Sequence, residues 1–227
     1  MKAFFLTFFL VTITIQSLLG QEDSATLLNE VQGKLEKGTV NVSYVLSDKK
    51  YLLLHPETSF RNLIEKNASA DILKITPNDE PGKKIKVLGY IKDKDGKAIA
   101  NALVYLYQTD SRGWYAADAP HVLMNSGDFR HARLFGYVKT DKNGKFELHT
   151  IKPSGYPKSD LPAHIHVHVS AEGYRNYGTE FLFQDDERLK GEILNQAIVN
   201  GGMIGVPEKT MAPFEQQFSY TLKLTKQ

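Results

Sequence analysis

The chain has no cysteine. Disulfides are thereby excluded, as are thiolate metal sites and a lipid-modified cysteine behind a leader peptide. Any metal must be held by histidine, carboxylate or phenolate. Tryptophan is nearly absent, with Trp114 the sole example. Charge of one sign is lacking too: 28 Lys and Arg against 26 Asp and Glu leave a formal +2. No basic stripe stands out, so nothing points to nucleic acid. Beyond residue 20 no apolar run approaches the roughly 20 residues that a membrane-spanning helix needs. Internal repeats are missing as well. What remains is 227 residues with 41% hydrophobic and 24% charged side chains. That is enough for one domain with a sizeable core, with or without a small appendage.

The N-terminal stretch "MKAFFLTFFLVTITIQSLLGQED" sets one lysine before an apolar run from Ala3 to Ile15 and closes on small and polar residues. This is the pattern of a secretory signal peptide over residues 1–20, cut before Gln21. A membrane anchor is the rival reading, and the run is short for one. The mature protein is expected to be secreted, to the extracellular space or a periplasm, with no membrane span.

Residues 21–80 form an N-terminal extension of unassigned role. Within it "SATLLNEVQGKLEKG" carries Leu27, Leu28, Val31 and Leu35 at helical spacing, with Asp23 or Ser24 as N-cap and Gly38 as stop. The segments "NVSYVL" and "KYLLL" fit no element clearly, and "ITPNDEPGKK" reads as a linker. Over residues 81–227 the pattern turns to β. "KKIKVLGYIKD", "ALVYLYQT", "TDKNGKFELHTI", "AHIHVHV", "GTEFLFQ" and "QFSYTLKL" alternate in strand fashion, with Asn143-Gly144 at a turn. Seven or eight short strands predict a mainly β fold, a β-sandwich.

Within "LPAHIHVHV" three histidines, His164, His166 and His168, occupy every second position. In a strand they share a face, with His164 and His166 about 6–7 Å apart at the backbone. Such a pair is a platform for iron, copper or zinc. Paired strand histidines also occur as half-exposed polar residues, and spacing alone leaves both readings open. Two tyrosines stand upstream, Tyr115 in "TDSRGWYAADAP" and Tyr156 in "KPSGYPKSDLPAHIH".

The run "FGYVKTDKNGKFELHTIKPSGYPKSDLPAHIHVHVSAEGYRNYGTEF" resembles the core of the intradiol ring-cleavage dioxygenases, the family of the catechol and protocatechuate dioxygenases. The resemblance covers roughly residues 83 to 185 and is strongest from 135 to 181. Its ordered set is specific: Gly-x-Tyr, Thr-Asp-x-x-Gly, Thr-Ile-x-Pro, Tyr-Pro and Pro-Ala-His-x-His. It implies a ferric ion, Fe(3+), held by Tyr115, Tyr156, His164 and His166. It further implies a catecholic substrate that reacts with O2 to give a muconate-type diacid. Tyr156 would leave the metal and take up a substrate proton, while Tyr115 stays bound. The ligand types agree with this, since a phenol of pKa about 10 needs a strong Lewis acid to lose its proton at neutral pH.

Two departures stand out. The enzymes resembled here carry an arginine three residues before the first histidine, where this chain has Leu161, and a glutamine where it has Glu180. The shorter gap from Tyr156 to His164 implies a trimmed, more open pocket. Leu161, Glu180, Trp114 and Arg133 are the candidate substrate-binding residues, with packing the plainer role for Trp114. Arg112 is a second candidate for the missing cation. His168 has no ligand counterpart in the family, Tyr137 is a weaker pocket candidate, and His121, His131 and His149 read as surface or turn residues. Asn41-Val-Ser and Asn67-Ala-Ser match the glycosylation pattern. The rival class is a non-catalytic module, because "KVLGYIKDKDGKAIANALVYLY" also resembles the transthyretin-like and carboxypeptidase-regulatory sandwiches. Between the two lies a protein that binds iron or catecholate with little turnover. A zinc hydrolase is disfavoured, since two tyrosines are unusual zinc ligands. Oligomeric state is not legible.

Overall fold

The computed structural model describes residues 23–116 and 132–227. The leader at 1–20 and His121 and His131 lie outside the described residues.

Helix α1 (Ser24–Glu36) buries Leu27, Val31 and Leu35 along one stripe. The Asp23 carboxylate accepts from the amide of Ala25, and Gly38, at φ 63°, follows its end in the left-handed region. The unassigned stretch after it is helical: α2 (Val42–Ser47) is capped by Asn41, and a 3-10 turn (Lys49–Leu54) by Asp48. Val42, Val45 and Leu46 are buried, and that burial outweighs the strand preference of β-branched residues. Helix α3 (Thr58–Lys66) buries Phe60, Arg61 and Ile64.

Two sheets follow. The first has the order β1-β5-β2-β9, from β1 (Leu73–Lys74), β5 (Lys145–Ile151), β2 (Lys84–Asp93) and β9 (Gln216–Leu224). The second runs β4-β3-β6-β7-β8, from β4 (Leu134–Lys139), β3 (Leu103–Gln108), β6 (His164–Ser170), β7 (Tyr177–Phe183) and β8 (Met203–Gly205). The expected β-sandwich is therefore present, and its first strand lies before the change of pattern at residue 81. Helix α4 (Gly191–Val199) joins β7 to β8 and has no buried residue.

Between the sheets Phe181 stacks on Tyr220 at 3.9 Å, and Phe183 meets Phe218 edge-on at 4.8 Å. Each such pair adds about 0.5–1.5 kcal/mol beyond the burial of its area. Ile165, Val167 and Val169 are buried from β6. The alternation of the strand turns His164, His166 and His168 to the opposite, outer face. Register sets Tyr107 and Glu180 on either side of His166, and Tyr105 beside His168. The N-terminal helices cap this aromatic face at its far end, where the Arg61 guanidinium lies 3.9 Å from the Phe135 ring. Their apolar residues belong to the same hydrophobic core as the sandwich.

Candidate metal centre

The four singled-out side chains come from three places. His164 and His166 stand on β6, Tyr115 on the loop after β3 and Tyr156 on the loop after β5. Hydrogen bonds fasten the two loops together. Gln108 Nε2 donates to the Ile151 carbonyl at 2.9 Å, Thr109 Oγ1 to that of Ser154 at 2.7 Å, and the Ser154 amide to that of Asp110 at 3.1 Å. Asp110 also closes a turn, its carboxylate accepting from the amides of Arg112 at 2.8 Å and Trp114 at 3.1 Å. Gly113, at φ 82°, rests against the Gly155 carbonyl so closely that a Cβ would collide with it. Two tyrosine-bearing loops thus cross in backbone contact.

The result is a ring of donor atoms. Tyr115 Oη is 2.5 Å from Tyr156 Oη and 2.9 Å from His166 Nε2. His164 Nε2 is 3.2 Å from Tyr156 Oη and 3.1 Å from His166 Nε2. Two donors about 2.1 Å from one ion, at angles of about 90–110°, stand about 3.0–3.4 Å apart. The separations involving the histidines match this, and the two phenol oxygens, now hydrogen-bonded at 2.5 Å, need to part by only about 0.5 Å for the set to hold a single metal ion.

The surroundings fix how each donor presents itself. Nδ1 of His164 lies 2.8 Å from the Pro162 carbonyl, which can only accept. That nitrogen carries the proton, and the Nε2 lone pair points at the tyrosines. His166 is held flat by buried Tyr107, stacked at 4.4 Å, and its Nδ1 is 3.6 Å from Glu180 Oε1. His164, His166 and Glu180 also have donor atoms within 4.8 Å of one another. Glu180 nevertheless approaches Nδ1 of His166, whereas Tyr115 faces its Nε2, and one imidazole cannot offer both nitrogens to one ion. Burial raises the Tyr115 phenol well above its ordinary pKa, with the neighbouring Tyr156 adding to the effect. Tyr156 is raised as well, chiefly by burial and against the opposing hydrogen bond from Tyr115. Without a cation both stay neutral phenols.

Of the other expected residues, Leu161 and Glu180 sit beside this ring. They border a groove of about 510 Å³ whose apolar wall includes Leu182, Ile193 and Ala197. Trp114 and Arg133 are engaged elsewhere. The Trp114 ring takes the Arg112 guanidinium at 4.0 Å, and Arg112 also pairs with Asp110 at 2.6 Å. The Arg133 guanidinium is gripped by Glu80 at 2.6 and 2.9 Å and lies 3.7 Å from Asp110, while its amide donates to the Tyr115 carbonyl at 2.8 Å. His168 and Tyr137 border a separate cavity of about 270 Å³ with Tyr105 and Tyr177. His149 bonds Glu147 at 2.8 Å on the other sheet. Two residues escaped the sequence reading. Tyr107 looked like an ordinary strand residue. Arg188, whose guanidinium donates to the carbonyls of Tyr156 and Leu161, each at 3.2 Å, carried no local signal at all.

A two-sheet sandwich with paired loop tyrosines and strand histidines defines a class, and the chain belongs to it: it is a member of the intradiol dioxygenase family. The family model described as Dioxygenase matches residues 59–226. The chain is 31% identical over 125 residues to a catechol 1,2-dioxygenase of Acinetobacter baylyi, covering 48% of this chain and 39% of the relative. It is 34% identical over 101 residues to the protocatechuate 3,4-dioxygenase beta chain of Burkholderia cepacia, covering 42% of each. It therefore spans less than half the length of these curated relatives. The crystal structure of catechol 1,2-dioxygenase from Pseudomonas arvilla C-1 superposes with a TM-score of 0.54 at 22% identity, covering 70% of this chain and 57% of that one, which is a likeness of fold.

Proposed function

We propose that the protein is a ferric-iron-dependent dioxygenase that opens a catechol ring between its two adjacent hydroxyls. The carrying observation is the convergence of two phenol oxygens and two imidazole nitrogens within 2.5–3.2 Å of their neighbours. Two phenolates and two imidazoles suit hard ferric iron better than zinc. Bound there, iron supplies the Lewis acidity that activates the ring toward O2. Both oxygen atoms enter the product, one carbon–carbon bond breaks, and a muconate-type diacid results.

The chain's own work is positioning and proton transfer. Tyr115, only 5% exposed and held through its carbonyl by Arg133, is the fixed anchor. Tyr156 is the more exposed of the two, and its Oη takes a hydroxyl proton as substrate enters. Arg188 holds the backbone of Tyr156 while that side chain shifts. His164 and His166 stay fixed by Pro162 and by the Tyr107 stack. A second reading, binding with little turnover, has its own support: Arg112 and Arg133, the candidates to replace the absent arginine, are paired with Asp110 and Glu80. By the leader pattern the protein works after export, as a partner of small catecholic molecules and O2. Among the described residues no helix is long and apolar enough to cross a membrane.

The deciding experiment is the visible spectrum of the iron-loaded protein before and after anaerobic catechol. A tyrosinate band that shifts with catechol and relaxes when O2 is admitted supports dioxygenation. A shifted band that persists in air supports binding alone, and a protein that takes up no iron overturns both.

A further inference from the structure

We infer that the site takes catechols whose ring carries an uncharged, apolar substituent and turns away those whose substituent ends in a carboxylate. This deepens the reading above by naming its substrate class, and it rests on that reading. The carrying feature is the groove beside the donor ring. Its volume of about 510 Å³ lies within the range of drug-sized ligand sites rather than that of a bare six-carbon ring. It lies one strand away from the donor histidines: His164 pairs across the strands with Leu182 and His166 with Glu180, and both partners line the groove. A substituent on a ring held at the donors therefore has a place to go.

The lining sets what that substituent can be. Leu161, 52% exposed, stands with Pro162, Leu182, Ile193 and Ala197 as an apolar wall. Gln196 and Asn200 add neutral amides. The charged groups among the described lining residues are Asp160 and Glu180, both acidic. The described lining includes no lysine or arginine, and Arg188 directs its guanidinium at the carbonyls of Tyr156 and Leu161. A carboxylate entering here loses water and meets two like charges without a cation to compensate. An alkyl chain gains about fourfold in affinity for each methylene it buries.

The test is a set of dissociation constants, measured anaerobically on the iron-loaded protein from the shift of its visible band. Suitable probes are catechol, 4-ethylcatechol, 4-butylcatechol, and 3-(3,4-dihydroxyphenyl)propionate beside its methyl ester, a pair with matched ring electronics. Affinity is expected to rise at least tenfold from catechol to the butyl compound, and the ester to bind at least tenfold more tightly than the acid. Asp160→Asn should narrow the ester-to-acid ratio severalfold, and Ala197→Trp, which fills the groove, should erase the butyl-to-catechol ratio. Equal binding of catechol, the butyl compound, ester and acid overturns the inference and leaves the metal-site reading standing. A band that no catechol shifts overturns that reading, and the inference falls with it.

Discussion

The phenol oxygens of Tyr115 and Tyr156 stand 2.5 Å apart, on loops that approach closely because Gly113 has no Cβ to collide with the Gly155 carbonyl. Both hydroxyls are held in their protonated form by burial. Metal loading must therefore expel protons, and the affinity must rise with pH. Filling the metal-free protein with ferric iron at neutral pH is expected to release about two protons per ion from the site. Calorimetry in buffers of different ionisation enthalpy would measure this, after correction for iron hydrolysis. Tyr115→Phe or Tyr156→Phe should each remove about one of the two.

Leu161 occupies the place where an arginine is expected, and the two arginines considered as replacements, Arg112 and Arg133, are paired with Asp110 and Glu80. Supplying a charge-stabilising donor at a reacting centre is worth about 3 kcal/mol in favourable cases. Leu161→Arg is expected to raise kcat for unsubstituted catechol by about tenfold or more. Steady-state O2 uptake would show it, and a fall in kcat would mean that the side chain blocks the groove.

Arg188 acts on the ligand loop through two backbone carbonyls, at 3.2 Å each. Hydrogen bonds from a charged donor are worth about 1.5–3 kcal/mol. Arg188→Ala is expected to loosen the Tyr156–Leu161 segment and weaken iron binding by roughly tenfold, with partial rescue in Arg188→Lys. Chelator competition measures this. A drop in Tm of the metal-free protein with unchanged iron affinity would assign Arg188 to stability alone.

His55 is buried between Phe60 and Phe135, its Nδ1 bound to the Arg133 carbonyl at 2.7 Å. Burial lowers its pKa from 6.5 to about 4, helped by the charges of Arg61 and Arg133. The folded protein keeps this imidazole neutral while the unfolded chain protonates it. Stability is thus complete above pH 6.5 and is lost as pH falls toward 4, by about 3 kcal/mol in all. Chemical denaturation of the metal-free protein across that window should show the slope, and His55→Gln should flatten it.

The four donors were legible because three of them fall within eleven residues of one another, two on alternating strand positions and one behind a Tyr-Pro turn. Strand alternation brought out the sandwich for the same reason, since Val87, Ile91, Phe146 and Leu148 mark buried positions directly. What stayed hidden was held by long-range contacts. The helix around Val42 runs against the local preference of its β-branched residues and exists because the core covers it. Helix α4 carries Ile193, Leu194, Ala197 and Ile198 at helical spacing but buries none of them in the core. Arg188 meets carbonyls, which have no side-chain signature, across 32 residues of chain. The engagement of Arg133 by Glu80, 53 residues away, could not be seen from its neighbours either.

The single tryptophan adjoins Tyr115 in sequence and lies under the Arg112 guanidinium, in the same Asp110 turn that presents this donor. The chain thereby contains its own optical reporter. Every photon of indole emission comes from Trp114, and on the proposed reading a ferric phenolate on the neighbouring Tyr115 would quench that light. Iron loading of the proposed centre would then be followed by fluorescence in the natural sequence, with no label attached and no other indole to subtract.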